Sequence, residues 1–168
     1  MSYDLSYYSP EDVTVSIAGV VDLEGFYEGT FINIQKDDPL FSSRTTADGM
    51  TTRTKRSADV YTIRLSLMNT SSSNELLSKL SLLDQSTFIL KFPLMIKDTV
   101  GSTLFFASSA WVEQYPETSF GTDISQRDWV IKAAQATLYV GGNTDASSMM
   151  EDLINTIGGL APSIRGIV

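Results

Sequence analysis

Several stretches of this chain alternate apolar and polar residues strictly at period two, and that alternation restricts it to a sheet-based fold. Val13, Val15 and Ile17 alternate with Thr14, Ser16 and Ala18. Tyr61, Ile63, Leu65 and Leu67 alternate with Thr62, Arg64, Ser66 and Met68. Successive side chains of an extended strand point to opposite faces, so each stretch buries one face and wets the other. Phe31-Ile32-Asn33-Ile34 continues the pattern after Gly25 and Gly29. Phe88 to Ile96 and Leu104 to Val112 read as a strand pair joined by Asp98-Thr99-Val100-Gly101, whose residues suit a turn. Trp129 to Val140 fits strand or helix by composition. Its bounds, Asp128 and Gly141-Gly142, and the run Ala136 to Val140 lean to strand.

The segment Phe41 to Arg56 is a strand pair of another kind. Ser42, Ser43, Thr45, Thr46, Thr51, Thr52 and Thr54 surround Ala47-Asp48-Gly49, a good hairpin turn. Neither face is apolar enough to drive burial, so the hairpin projects from the core or faces a water-filled channel or a neighbouring subunit. A loose polar loop is the plain alternative. One helix is expected over about 72–84. Ser72 and Glu75 have capping-box spacing. Leu76, Leu77, Leu80 and Leu83 then form a stripe, with Ser78, Lys79, Ser81 and Asp84 largely opposite. Such a stripe packs a helix onto a sheet. Past Gly141-Gly142-Asn143 the character changes: Ser148 and Glu151 repeat the capping spacing. Met149, Met150, Leu153, Ile154 and Ile157 then predict a short amphipathic helix that stops at Gly158-Gly159. The apolar residues Leu160 to Val168 need a partner surface.

At 168 residues the chain fits one domain. It has no Cys and no His, which removes disulfides, thiolate nucleophiles, imidazole bases and the usual transition-metal sites. The adjacent carboxylates Asp37-Asp38 and Glu151-Asp152 are poor acid–base pairs, because the side chains of sequence neighbours diverge. Gly25-Phe26-Tyr27-Glu28-Gly29 lacks the third glycine and the helix of a dinucleotide loop. No catalytic, cofactor or metal residue is assigned. No apolar run approaches the roughly 18 residues of a membrane span, and Met1 to Pro10 lacks the basic and apolar regions of a signal peptide. The net charge of −8 disfavours tight nucleic-acid binding but suits a surface past which DNA slides. Charge is also segregated. Asp4, Glu11, Asp12, Asp22, Glu24 and Glu28 precede the first basic residue, Lys36. Arg44, Arg53, Lys55, Arg56 and Arg64 then stand against Asp48 and Asp59. This pattern permits head-to-tail self-association, or simply two solvated faces.

Taken in order, these landmarks resemble the tail tube proteins of contractile-tailed phages. Those that resemble the family are Tyr8-Ser9-Pro10-Glu11-Asp12-Val13-Thr14-Val15, Phe26 to Ile32, Ala47-Asp48-Gly49 with Arg53-Thr54, and Ser71 to Leu80. Ile96-Lys97-Asp98 with Gly101 to Leu104, Trp111-Val112, Phe120-Gly121, Arg127-Asp128-Trp129 and Val140 to Asn143 complete the order. The similarity spans about residues 8–143. It implies a tail-tube-like β-sandwich or open barrel with one packed helix as domain 1–143, whose residues 1–10 form an arm. Residues 144–168 are an extension. The resemblance further implies a structural subunit forming rings, usually of six, that stack into a hollow tube conducting DNA during ejection. Expected partners are other copies of the chain, a tail sheath protein outside, and a tape measure protein and DNA in the lumen. The expected location is the virion tail, after assembly in a host cytoplasm. Tyr3, Tyr7 and Tyr8 of the arm and Arg44, Asp48, Arg53, Lys55 and Arg56 of the hairpin are the expected interface residues. A tube subunit of a tailocin or secretion machine shares these features. A ligand-binding β-barrel, with Trp111 and Trp129 lining a pocket, is the alternative of another class.

Overall fold

A computed structural model describes residues 8–142 and Asn155. Among described residues 8–142, a 3-10 turn at Pro10–Asp12 is followed by nine strands and one helix. They are β1 (Val13–Ile17), β2 (Val21–Asp22), β3 (Ile32–Lys36), β4 (Phe41–Thr45), β5 (Thr51–Lys55), β6 (Val60–Met68), α1 (Ser73–Thr87), β7 (Phe92–Asp98), β8 (Leu104–Gln114) and β9 (Gln126–Tyr139). Seven strands make one antiparallel sheet in the order β2-β1-β7-β8-β9-β6-β3. β4 and β5 pair only with each other.

The period-two stretches form the core face of the large sheet. Val15, Ile63, Leu65, Leu67, Leu94, Phe105 and Ile131 are all fully buried there. Each such side chain contributes roughly 1.5–3 kcal/mol of hydrophobic stabilisation. The sheet curls, so that Val13 of β1, next to one end of the strand order, and Ile34 of β3, at the other, line one hollow with Ile96 and Leu138. The mainly-β domain with one packed helix is therefore present, in its open-barrel form. Between β2 and β3 the chain crosses from one margin of the sheet to the other. Gly25 and Tyr27 bond to β6 through Met68 N–H and Ser66 C=O, and Phe26 bridges Leu67.

α1 closes the barrel beside β8, burying Leu77, while Leu76 and Leu80 pack against the core. Its start differs from the expected capping box. Ser72 already has helical backbone angles and makes no cap bond. Ser71 Oγ instead accepts the Ser73 N–H, and Glu75 pairs with Lys79 one turn on. The helix also runs three residues beyond the expected end, to Thr87, and Leu83 of the expected packing stripe lies exposed beside Leu82. Phe88 terminates it in the left-handed region, at φ 58°. The expected strand Phe88 to Ile96 accordingly begins only at Phe92. β9 resolves the ambiguous Trp129 to Val140 stretch as strand. Of the expected C-terminal helix only Asn155 lies among the described residues, and it is helical.

Candidate assembly surfaces

The hairpin β4–β5 stands free of the barrel, as its composition demands. Register pairs Ser43 with Arg53 and Arg44 with Thr52. Paired residues share a face, so Arg53 and Lys55 lie on one face with Phe41, while Arg44 points to the other. Arg53 sits over the Phe41 ring at 4.3 Å. Arg44, Arg53, Lys55 and Arg56 enter no ion pair among the described residues. Asp48 is used within the turn. It accepts a hydrogen bond from the Thr46 hydroxyl, which, with backbone N–H groups, holds its carboxyl below the usual range. Met50 lies exposed beside this turn.

The hairpin leaves the sheet through a pair of ionic ties. Lys36 Nζ meets Asp59 Oδ1 at 2.7 Å across its base. Lys132 Nζ meets Asp37 Oδ2 at 2.6 Å and also donates to Thr62. The hydrogen bond to Asp59 raises the Lys36 pKa, and the same bond lowers that of Asp59. For Asp37, burial alone would raise the pKa, but hydrogen bonds from Lys132 and Thr62 bring the net shift downward. The sequence shows Asp37 only as half of an adjacent carboxylate pair. Its partner Lys132 lies 95 residues away, beyond any local pattern.

At the other end of β6 a groove of about 620 Å3 opens beside the crossing segment. Leu23, Phe26, Phe31 and Met68 line it together with Glu11, Asp22, Glu24 and Glu28. No basic residue lines it, and none of its four carboxylates forms an ion pair among the described residues. The sequence identifies these acids as a run. It does not show that the crossing segment folds them around apolar side chains. The two glycines at 25 and 29, both with positive φ, are the local signal of that bent path.

Tyr8 is exposed at the rim of the hollow lined by Val13 and Ile34, whereas Tyr3 and Tyr7 lie outside the described residues. The structure separates Trp111 from Trp129. Trp111 pairs with Lys132, which is three residues from Trp129 and hence on the opposite face of β9. The Trp129 indole is buried, donates to Asn74 Oδ1 at 2.9 Å and packs on Tyr115. The Trp111 indole donates to Glu113. The two rings line no common pocket, because the sheet lies between them. Among the described residues no three metal-ligating side chains gather, and no helix is long and apolar enough to cross a membrane.

No protein-family model matches the chain. It is 29% identical over 160 residues to "Structural protein ORF10" of Pseudomonas phage KPP10, covering 91% of this chain and 92% of that protein. Its fold resembles that of the anti-feeding prophage cap, described as the AFP tube terminating cap. There the TM-score is 0.52 at 14% identity, over 83% of this chain and 96% of the cap. A chain from the PVC sheath-tube complex, an extracellular contractile injection system, aligns with a TM-score of 0.47 at 15% identity. It covers 82% of this chain and 93% of that one.

Proposed function

We propose that this chain is a structural component of a contractile phage tail, and specifically the subunit of its inner tube. Copies close into rings of six, and the rings stack into a hollow cylinder through which DNA leaves the particle. The carrying observation is the free hairpin β4–β5: a basic ribbon with no core face of its own, on a barrel whose fold resembles a tube-terminating cap. Similarity to a phage structural protein supports a phage tail over a secretion machine. A sheath protein surrounds the tube in this reading, and a tape measure protein and then DNA occupy its lumen. Domain 1–143 builds the wall, the arm 1–10 with Tyr3, Tyr7 and Tyr8 reaches a neighbour, and 144–168 is an appended segment.

A second reading, a cap that ends the tube, is favoured by the likeness of the fold to a tube-terminating cap. Negative-stain electron microscopy of the purified chain over a concentration series separates the two. Long tubes of uniform width support the tube subunit, single discs support the cap, and a strictly monomeric particle refutes both.

A further inference from the structure

The hairpin and the acidic groove occupy opposite ends of one strand. The hairpin base is tied to the start of β6, where Asp37 N–H bonds Val60 C=O. The groove lies at its end, where Met68 N–H bonds Gly25 C=O. Eight residue steps separate them, roughly 26 Å at the usual rise of a strand. Neither surface is satisfied among the described residues. β4 and β5 make no substantial contact with any other element, and the groove acids have no cationic partner among the described residues.

We infer that the groove rimmed by Glu11, Asp22, Glu24 and Glu28 receives the β4–β5 hairpin of a second copy of this chain. The inference rests on the tube reading and specifies how successive rings engage. Charge selects the occupant. Four basic side chains on the hairpin stand against Asp48 alone, and Asp48 is engaged in its own turn. The groove offers four carboxylates and no cation. Complementary charge fixes register and speeds encounter, while apolar contact supplies the anchor. Met50 is the exposed apolar residue at the hairpin tip, and Phe26, Phe31 and Met68 are among the apolar residues lining the groove. Because donor and acceptor sit at opposite ends of the barrel, the contact is heterologous and does not close on itself. It propagates along an axis.

The test is charge reversal on both surfaces of the full chain, read by electron microscopy and sedimentation. Glu24→Lys with Glu28→Lys, and separately Arg53→Glu with Lys55→Glu, should each raise the concentration needed for tubes by about tenfold or more. The four substitutions in one chain should restore assembly. If the groove variant assembles like the unaltered protein, the groove is not the receptor, although the tube reading stands. If the unaltered protein never assembles, both readings fall. Should reversal impair folding, cross-linking decides. The chain has no cysteine, so Met50→Cys with Tyr27→Cys gives one thiol at each surface. A short bis-maleimide should yield a ladder of covalent oligomers. No species beyond those of the single-cysteine controls would overturn the inference.

Discussion

Removing the side chain of Asn74 should cost more stability than its position near the surface end of a helix implies. Its amide connects three elements. Nδ2 donates to Met68 C=O at 2.7 Å and to Ser71 C=O at 3.0 Å, while Oδ1 accepts the buried Trp129 indole N–H at 2.9 Å. Asn74→Ala strands the indole donor in the core, at a cost of about 1–3 kcal/mol. The lost bonds to Met68 and Ser71 add roughly 0.5–1.5 kcal/mol, because water reaches part of that site. The better helix propensity of Ala offsets about 0.5 kcal/mol. The net loss is about 1–4 kcal/mol, and its midpoint of about 2.5 kcal/mol corresponds to a fall of roughly 5–10 °C in Tm for a chain of this size. Urea and thermal unfolding, followed by tryptophan fluorescence below the assembly concentration, measure it. Ser86→Ala, at an exposed helix position, is the control and should stay within about 0.5 kcal/mol. Combining Asn74→Ala with Trp129→Phe should reveal a coupling of about 1 kcal/mol or more. An Asn74→Ala loss no larger than that of Ser86→Ala would refute the reasoning.

Gly25→Ala should destabilise more than Gly29→Ala. Both sites have positive φ, which costs a non-glycine residue about 1–2 kcal/mol, but a Cβ at 25 would lie 2.7 Å from Ser71 Cβ, whereas at 29 it meets nothing within 4 Å. Equal losses in urea titration would discount the steric part. Asp37, Asp48, Asp59 and Glu75 all have lowered pKa values. Their contribution is therefore complete above the unfolded values, near about 4, and fades as pH falls through the lower folded ones. Stability should drop below about pH 4, and Asp37→Asn should shallow that drop; an unchanged slope would show that the Lys132 tie is not what depresses Asp37. Deleting residues 1–9 should leave a cooperatively folding monomer that forms no tubes under conditions where the full chain does. Tubes from the truncated chain would remove the arm from the interface.

The strands most legible in the sequence were those whose alternation coincides with a buried face. β1 and β6 match their expected residues closely, because Val15, Ile63, Leu65 and Leu67 have no other way to leave water. The free hairpin was legible for the opposite reason, since its threonines and arginines give no face to bury. Phe88-Ile89-Leu90 misled because an apolar run before a strand reads as its beginning. In the structure Phe88 caps a helix and is 92% exposed. Ser72 and Glu75 have the right spacing for a cap, but a hydroxyl can cap only from an extended backbone, and Ser72 is already helical. The groove and the ties at the hairpin base were not legible. They depend on where the crossing segment and β9 fall, and on β1 pairing with β7 some eighty residues later, which no local pattern records.

The placement of the hairpin and the groove at opposite ends of β6 also bears on how growth begins and stops. A polymer joined through these two surfaces has unlike tips. One tip presents a circle of unoccupied acidic, apolar-floored receptors, and the other a circle of basic tongues. A nucleating platform and a length-limiting stopper must then be chemically different proteins, one offering cationic ribbons and the other anionic receptors. In such a polymer each would be excluded from the wrong tip by like charge, so the direction of growth would follow from the monomer alone.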